Sequence, residues 1–401
     1  MKKILLSFLL AIPVLGFSQS FQVNLQGQKQ TAMGGAGAGL ALDEAAVFFN
    51  PGAVSFLKKN GVQAGINGIW LKTAFNETGS PITEYNKNKV PTPFAAYAVF
   101  GSPESRLRFG LGVYTPFGGA MHWKEDWTGK FTVTSLDLRA IYIQPTVSLK
   151  ITDGIGIGGG LVYALGKVDL RMAVPYSNNG QQGTVRLEGT SKDFGWNAGI
   201  FIKTISGVSI GVTHRSQVSA KVENGDATFA NIPSSVQPLL PATFNATLPL
   251  PATSTVGFGF YPSEKTTMAL DVNWVWWHTY KDLAFYYNNG NSTISARNYH
   301  DAATFRLGIQ NETSSFLTLR AGVGYALSPV SKGYVTPEVP DANRVLLSAG
   351  VGLKPSERFG VDFSFLYENV KSRTETNFET KLSGTFKTVA YIPGVALSYK
   401  F

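Results

Sequence analysis

The chain has 401 residues, no cysteine, 43 glycines, a formal net charge of +9 and only 15% charged residues. Without cysteine there is no disulfide scaffold, no thiol-linked lipid anchor and no cysteine-ligated metal. The positive excess, which falls to +7 if Lys2 and Lys3 are removed, suits anionic lipid headgroups or anionic solutes; no basic, aromatic-interleaved run supports binding of nucleic acid.

Residues 1–18 read as a secretory signal peptide. Lys2 and Lys3 form its charged end, Ile4 to Leu15 its apolar core, and Gly16-Phe17-Ser18 a small-x-small cleavage site, so the mature chain is expected to begin near Gln19. No later stretch is long and uncharged enough for a spanning helix.

Residues 19–58 do not alternate. They carry the Gly/Ala run Ala32 to Gly39, then Asp43-Glu44-Ala45-Ala46-Val47-Phe48-Phe49 and Asn50-Pro51. The second piece predicts a turn or two of helix with acids at its positive end, and Pro51 biases Asn50 away from helix. Forty residues with so little apolar surface cannot form a domain alone, but small side chains permit close packing as a plug inside a larger structure. A phosphate-cradling loop is disfavoured, because no Lys-Ser or Lys-Thr follows the glycines; a loose tail is disfavoured by the Phe48-Phe49-Asn50-Pro51 cluster.

From residue 59 to 401 the pattern is period two. Ile141, Ile143, Val147, Leu149 and Ile151 oppose Tyr142, Gln144, Thr146, Ser148 and Lys150; Met268 to Trp276 and Phe359 to Tyr367 behave likewise. The connectors alternate short and long. The short ones are Gly101-Ser102-Pro103-Glu104, Thr152-Asp153-Gly154, Ile205-Ser206-Gly207, Pro262 to Lys265, Glu312-Thr313-Ser314 and Lys354 to Glu357; longer polar or Pro-rich stretches centre near residues 82, 125, 177, 237, 290, 335 and 378. Six turns and seven loops join fourteen strands, so an all-β fold is predicted: a fourteen-stranded antiparallel transmembrane β-barrel in the Gram-negative outer membrane, with an N-terminal hatch in its lumen. Tyr261, Trp276, Trp277 and Tyr280 are expected in the interfacial girdle, and Val395, Leu397, Tyr399, Phe401 close the last strand.

Residues quoted from five stretches carry a family resemblance. They are Thr31 to Gly37 leading to Phe49-Asn50-Pro51-Gly52; Tyr114 to Gly118 through Trp127 to Phe131 and on to Gln144-Pro145-Thr146-Val147; Lys192 to Ile200 with Ile210 to Ser216; Leu248 to Ala252 with Asp271 to Trp277; and Leu319 to Tyr325 with Ser328-Pro329-Val330 and Val339-Pro340-Asp341. Together these resemble the FadL family of outer-membrane transporters for long-chain fatty acids and other hydrophobic molecules, with Gly52 where the family's Asn-Pro-Ala motif has Ala. The resemblance implies a barrel blocked by its hatch. It also implies passive uptake: docking in an apolar groove among external loops, hatch movement, and sideways release through a gap at an inward-kinked third strand. Implied ligands are fatty acids, alkanes or aromatics, with outer-membrane lipid around a monomer and no cofactor.

Site candidates follow from these readings. Phe229, Leu239, Leu240 and Phe244, on the loop between about Gly225 and Pro251, are candidate groove walls beside Trp123, or else a loop core packed on itself. Lys167 and Arg171 are candidate carboxylate partners, with Arg320 a second choice; solvated or ion-paired lumen residues are the alternative. Phe48, Phe49, Asn50 and Pro51 are candidate gating residues, and Gly110 and Gly112 candidate sites of the wall opening. His122, His214, His278 and His300 have no metal-ligand spacing and no nucleophile signature accompanies them, so the chain is not expected to be an enzyme. A FadL-like barrel that binds protein partners in secretion or assembly is the competing function.

Overall fold

The computed structural model describes residues 20–87, 89–102 and 104–401, so the expected signal peptide lies outside the described residues. Fourteen antiparallel strands close a barrel. They are β1 (Gly61–Asn67 continuing as Trp70–Glu77), β2 (Phe94–Phe100), β3 (Leu107–His122), β4 (Ser135–Thr152), β5 (Ile155–Asn178), β6 (Gln181–Lys203), β7 (Val208–Arg215 continuing as Val218–Ala230), β8 (Thr243–Leu250 continuing as Thr253–Ser263), β9 (Thr266–Val275), β10 (Ala302–Glu312), β11 (Leu317–Ala326), β12 (Arg344–Leu353), β13 (Phe359–Val370) and β14 (Ser383–Lys400). Each strand pairs with its sequence neighbour, and β1 pairs with β14 from Gly61↔Lys400 to Asn67↔Gly394, which leaves no free edge.

Alternation sets the two faces. On β4, Tyr142, Gln144, Thr146 and Ser148 are buried inward while Val147, Leu149 and Ile151 are exposed outward; Asp271 and Asn273 on β9 face in and Leu270 and Trp274 face out. A greasy outer face and a polar inner face are what a wall between lipid and lumen requires. The six short connections lie at one end, between β2 and β3, β4 and β5, and so on to β12 and β13.

Two expected loops are largely strand. The stretch near residue 177 is the tip of a long hairpin, closed by Asn179 and Gly180 alone, both at positive φ (50° and 76°). Polar residues there alternate and keep the ladder, because an Asn-Gly turn reverses a twisted pair without further chain. Between Gly225 and Pro251 only residues 231–242 leave the strands; the longest connection is instead 276–301, which folds into its own hairpin, Asp282–Tyr287 with Ser292–Ala296. Trp277 and Tyr280 are buried there against Tyr299 and Phe21, while Tyr261 and Trp276 stay exposed. Loop apolar contacts thus took two of the four residues expected in the girdle.

Residues 20–57 lie within the ring of strands. Phe21 to Val23 run along β3; helix α1 (Gln28–Ala32) packs on β11 to β13; helix α2 (Ala46–Phe49) and a 3-10 turn (Pro51–Phe56) pack on β3 to β6. Glycine makes the closest approach possible. Gly34, at φ +72°, sits so near the wall that a Cβ added at Gly322 would lie 2.0 Å from its backbone nitrogen.

Candidate functional site

β3 pairs with β2 only as far as Ala95↔Tyr114, and its register with β4 breaks between Tyr114 and Phe117. Pairing with the chain before β2 resumes at Lys87, whose N–H donates to the His122 carbonyl at 2.6 Å. Between these points is a window in the wall, bordered by residues 89–93 and 116–121 and about 20 Å along the strand at roughly 3.3 Å per residue. Its cause is chemical: Pro91, Pro93 and Pro116 have no N–H to give to a ladder.

The window is covered from inside by the N-terminal segment. Val23 N–H donates to the Pro116 carbonyl at 2.8 Å and Gly118 N–H to the Phe21 carbonyl at 3.0 Å, so Phe21 to Val23 take the place β2 has vacated. Gln26 Nε2 donates to the Thr115 carbonyl at 3.0 Å, and Ser20 N–H to Asp341 at 3.1 Å.

Behind the window lies a cavity of about 630 Å³. Phe21, Val23, Leu25, Leu71, Phe117 and Ile392, with the charged Glu338, Arg344 and Glu368, line it within, and Val90, Pro91, Pro93 and Phe94 form its border on the window. Asp137, Arg139, Lys167 and Asp169, from the outward faces of β4 and β5, line it as well, so the space reaches both sides of the wall. Lys89 pairs with Asp137 at 2.7 Å, Lys167 with Glu188 at 2.9 Å, and Arg344 with Asp341 and Glu368 at 2.6 and 3.1 Å. Arg139 is exposed, with no ion-pair partner among the described residues.

The segment is held lower down by buried polar contacts. Asp271 accepts from the N–H groups of Gly37 and Ala38 at 2.8 and 2.9 Å. Asn50 is fully buried: its Nδ2 donates to the carbonyls of Ala38 (2.9 Å) and Ile200 (3.0 Å), and its Oδ1 accepts from Gly52 N–H at 3.0 Å, capping the turn that Pro51 begins. Arg215 donates to the Phe48 carbonyl at 3.3 Å and to Tyr114 and Gln144 at 2.6 and 2.9 Å, and lies 4.8 Å over the Phe48 ring. Phe49 stands edge-on to Phe48. Glu44 pairs with Lys400, and Lys29 with Asp43 and Asp362 at 3.5 and 3.8 Å.

The other candidates fall elsewhere. Gly110 and Gly112 are paired on both sides, Val99↔Gly110↔Thr146 and Tyr97↔Gly112↔Gln144; Gly110 makes room for Val47, and the ladder is interrupted further along, at the prolines. Phe244 is buried against Phe285, Phe229 packs into the same core, Leu240 is half-buried and Leu239 is 72% exposed; none lines the cavity, because their strands rise above the lumen and pack on each other. Trp123 stacks on Trp127 at 4.3 Å and its indole N–H donates to the Pro337 carbonyl, which makes it loop core.

Arg320 lies close to the short turn before β11, tied to Gln310 (2.7 Å) and Asp362 (2.8 Å) far from the cavity. Arg171 points outward and pairs with Asp169 at 3.1 Å. Asp169 also accepts from Arg186 at 2.7 Å, so both of its neighbouring arginines are paired. Of the expected cations only Lys167 borders the cavity, and Arg139 was missed because its neighbours on β4 read as ordinary alternation.

The comparisons agree with this architecture. Residues 10–401 match the family model described as outer membrane protein transport protein (OMPP1/FadL/TodX). The chain is 25% identical to a 47 kDa outer membrane protein of Pasteurella multocida over 99% of this chain and 98% of that one, and 23% identical to a long-chain fatty acid transport protein of Escherichia coli O6:H1 over 97% and 96%. It shares its fold with a Pseudomonas aeruginosa FadL homologue (TM-score 0.85, 17% identity, 96% of this chain and 100% of that one) and with the Ralstonia pickettii toluene transporter TbuX (TM-score 0.72, 16% identity, 94% and 98%). A barrel with a greasy outer face, a polar inner face and a family match over nearly its whole length belongs to the OMPP1/FadL/TodX family of outer membrane transport proteins.

Proposed function

We propose that the protein takes up hydrophobic small molecules, long-chain fatty acids among them, and releases them sideways into the outer membrane through the window at Pro116. The observation that carries this reading is the 630 Å³ cavity, lined inside by apolar side chains together with the ion-paired Arg344 and Glu368, and reaching both faces of the wall where three prolines interrupt the ladder. Its volume lies within the range of small-molecule sites. Sideways exit suits such a ligand, since each methylene kept out of water is worth about 0.8 kcal/mol. Residues 19–58 act as the hatch, with Asn50 and Pro51 fixing its lower end and Phe21 to Val23 its upper one. Arg139 receives the carboxylate of a fatty acid, and an uncharged arene has no use for it.

Gly119 provides the test, because a Cβ built there meets nothing within 4 Å and, on the same face of β3 as Phe117, a side chain would project into the cavity behind the window. Gly119→Trp should cut uptake of labelled oleate and toluene about tenfold, equivalent to roughly 1.4 kcal/mol, in a barrel that still folds. Unchanged entry of both ligands would overturn the sideways route.

A further inference from the structure

On the outer face of β4 to β6 the apolar band ends and a basic side chain begins on each strand in turn, and β7 continues the row with Lys221. Arg139 follows Ile141, Lys167 follows Leu165, Lys192 follows Phe194, and Lys221 follows Ser219 on β7; all four basic residues are exposed. Arg139 and Lys167 are direct cross-strand partners, Lys192 stands opposite Leu165, and Lys221 N–H donates to Asp193 beside Lys192.

The level of this row is fixed from below. Phe194 is 75% exposed with its ring 5.1 Å from Tyr163, and Trp196 and His214 adjoin on the next level down. Aromatic side chains of this kind mark the boundary between hydrocarbon and headgroups, so the cations just above them stand among headgroups.

Neutralisation differs sharply with height. Above the row, Arg171 and Arg186 are both paired with Asp169, Arg186 also with Glu188, and Asp137 is taken by Lys89 and His122. Glu223 and Asp226 stand further out on β7. In the row itself Lys167 alone is paired, and Arg139, Lys192 and Lys221 have no ion-pair partner among the described residues. A fold that pairs Asp137, Asp169 and Glu188 with cations, although Asp193, Glu223 and Asp226 make no ion pair among the described residues, and leaves three cations open at headgroup height is complementary to an anion supplied by the membrane.

We infer that the outer wall of β4 to β7 is a docking surface for an outer-leaflet lipid whose headgroup carries two phosphate groups. Paired strands are about 4.8 Å apart, and β6 and β7 are not ladder-paired at this height, so the row extends at least roughly 14 Å. One phosphodiester reaches one or two of these side chains; two separated phosphates reach the whole row. The lipid so held stands beside the window, because Arg139 is the cross-strand partner of Gly118 on β3.

Lys192 and Lys221 are the residues to change, since neither lines the cavity, whereas Arg139 and Lys167 do. The mature full-length protein would be placed in phosphatidylcholine nanodiscs doped with diphosphoryl lipid A, monophosphoryl lipid A or phosphatidylglycerol, and retained lipid counted by native mass spectrometry. Wild type should retain the diphosphoryl lipid at least about fivefold over the other two, and K192Q/K221Q should lose it by a similar factor while K192R/K221R keeps it. Heat-dependent gel mobility checks that each barrel is folded. Equal retention by the Gln variant, equal retention of the three lipids, or displacement by excess inorganic phosphate would each overturn the assignment.

Discussion

The barrel wall has a sealed side and an interrupted side. β4, β5 and β6 run 18, 24 and 23 residues and stay paired with one another along nearly all their shared length, although the ladder from β6 to β7 lapses between Glu188↔Asp226 and Asn197↔Arg215. β1 to β3 are broken instead: β1 between Asn67 and Trp70, the approach to β2 at Pro91 and Pro93, and β3 at Pro116. In hydrocarbon an unpaired backbone group is costly, so an opening survives only where something else satisfies its edges. Here Phe21 to Val23 do so for β3, and the carbonyls of Pro91 and Pro93 accept from Ile69 and Asn67 at 3.0 Å each. The same segment is pinned to the sealed side by Asn50, Gln144 and Ser148. One element therefore bridges a rigid anchor and a weak seam, which is the arrangement a gate needs.

The contrast is broken most directly by removing residues 20–26. Without them the edge at Pro116 and Gly118 loses its partners and the cavity loses Phe21, Val23 and Leu25; oleate retention measured by native mass spectrometry should fall more than about tenfold, equivalent to over roughly 1.4 kcal/mol. Full retention would show that the segment merely covers the window. On the sealed side, Asn50→Ala leaves the Ala38 and Ile200 carbonyls without their donor, at a cost of about 1–3 kcal/mol. The expected result is a lower urea midpoint for protection of the segment from protease, with the barrel's own midpoint unmoved; coincident shifts would mean segment and wall unfold as one unit. The smallest effect is expected at the outer mouth. Arg139→Gln should weaken oleate binding about threefold to tenfold, or roughly 0.7–1.4 kcal/mol, and leave toluene binding unchanged. Equal losses for both ligands would assign Arg139 to the wall rather than to a carboxylate.

The barrel was legible in the sequence because period two and terse turns are local signals, and each strand needs only its neighbours to act on them. The N-terminal segment was legible in part: Gly and Ala from Ala32 to Gly39 announce close packing, but not that Asp271 would receive Gly37 and Ala38. The site was the least legible. Apolar side chains at Phe244 and Phe229 read equally well as groove or as core, and the sequence does not show the long-range packing of Phe244 on Phe285. Glycines drew attention to Gly110 and Gly112, which are paired on both sides, whereas the missing donors of Pro91, Pro93 and Pro116 were the local cue to the interrupted ladder. Arg320 and Arg139 look alike in sequence; only tertiary placement gives one Asp362 and leaves the other at a cavity mouth.

The plug's contacts also constrain the order of assembly. Ser20 bonds to Asp341, Gly34 to Ser348 and Glu44 to Lys400, separations of 321, 314 and 356 residues. Contacts so distant along the chain form late, because closing such long loops is entropically slow until intervening structure brings the ends together. The first part of the mature chain to be synthesised must therefore wait for the last strands before it can settle, and a newly inserted barrel passes through a stage in which its lumen is still unfilled.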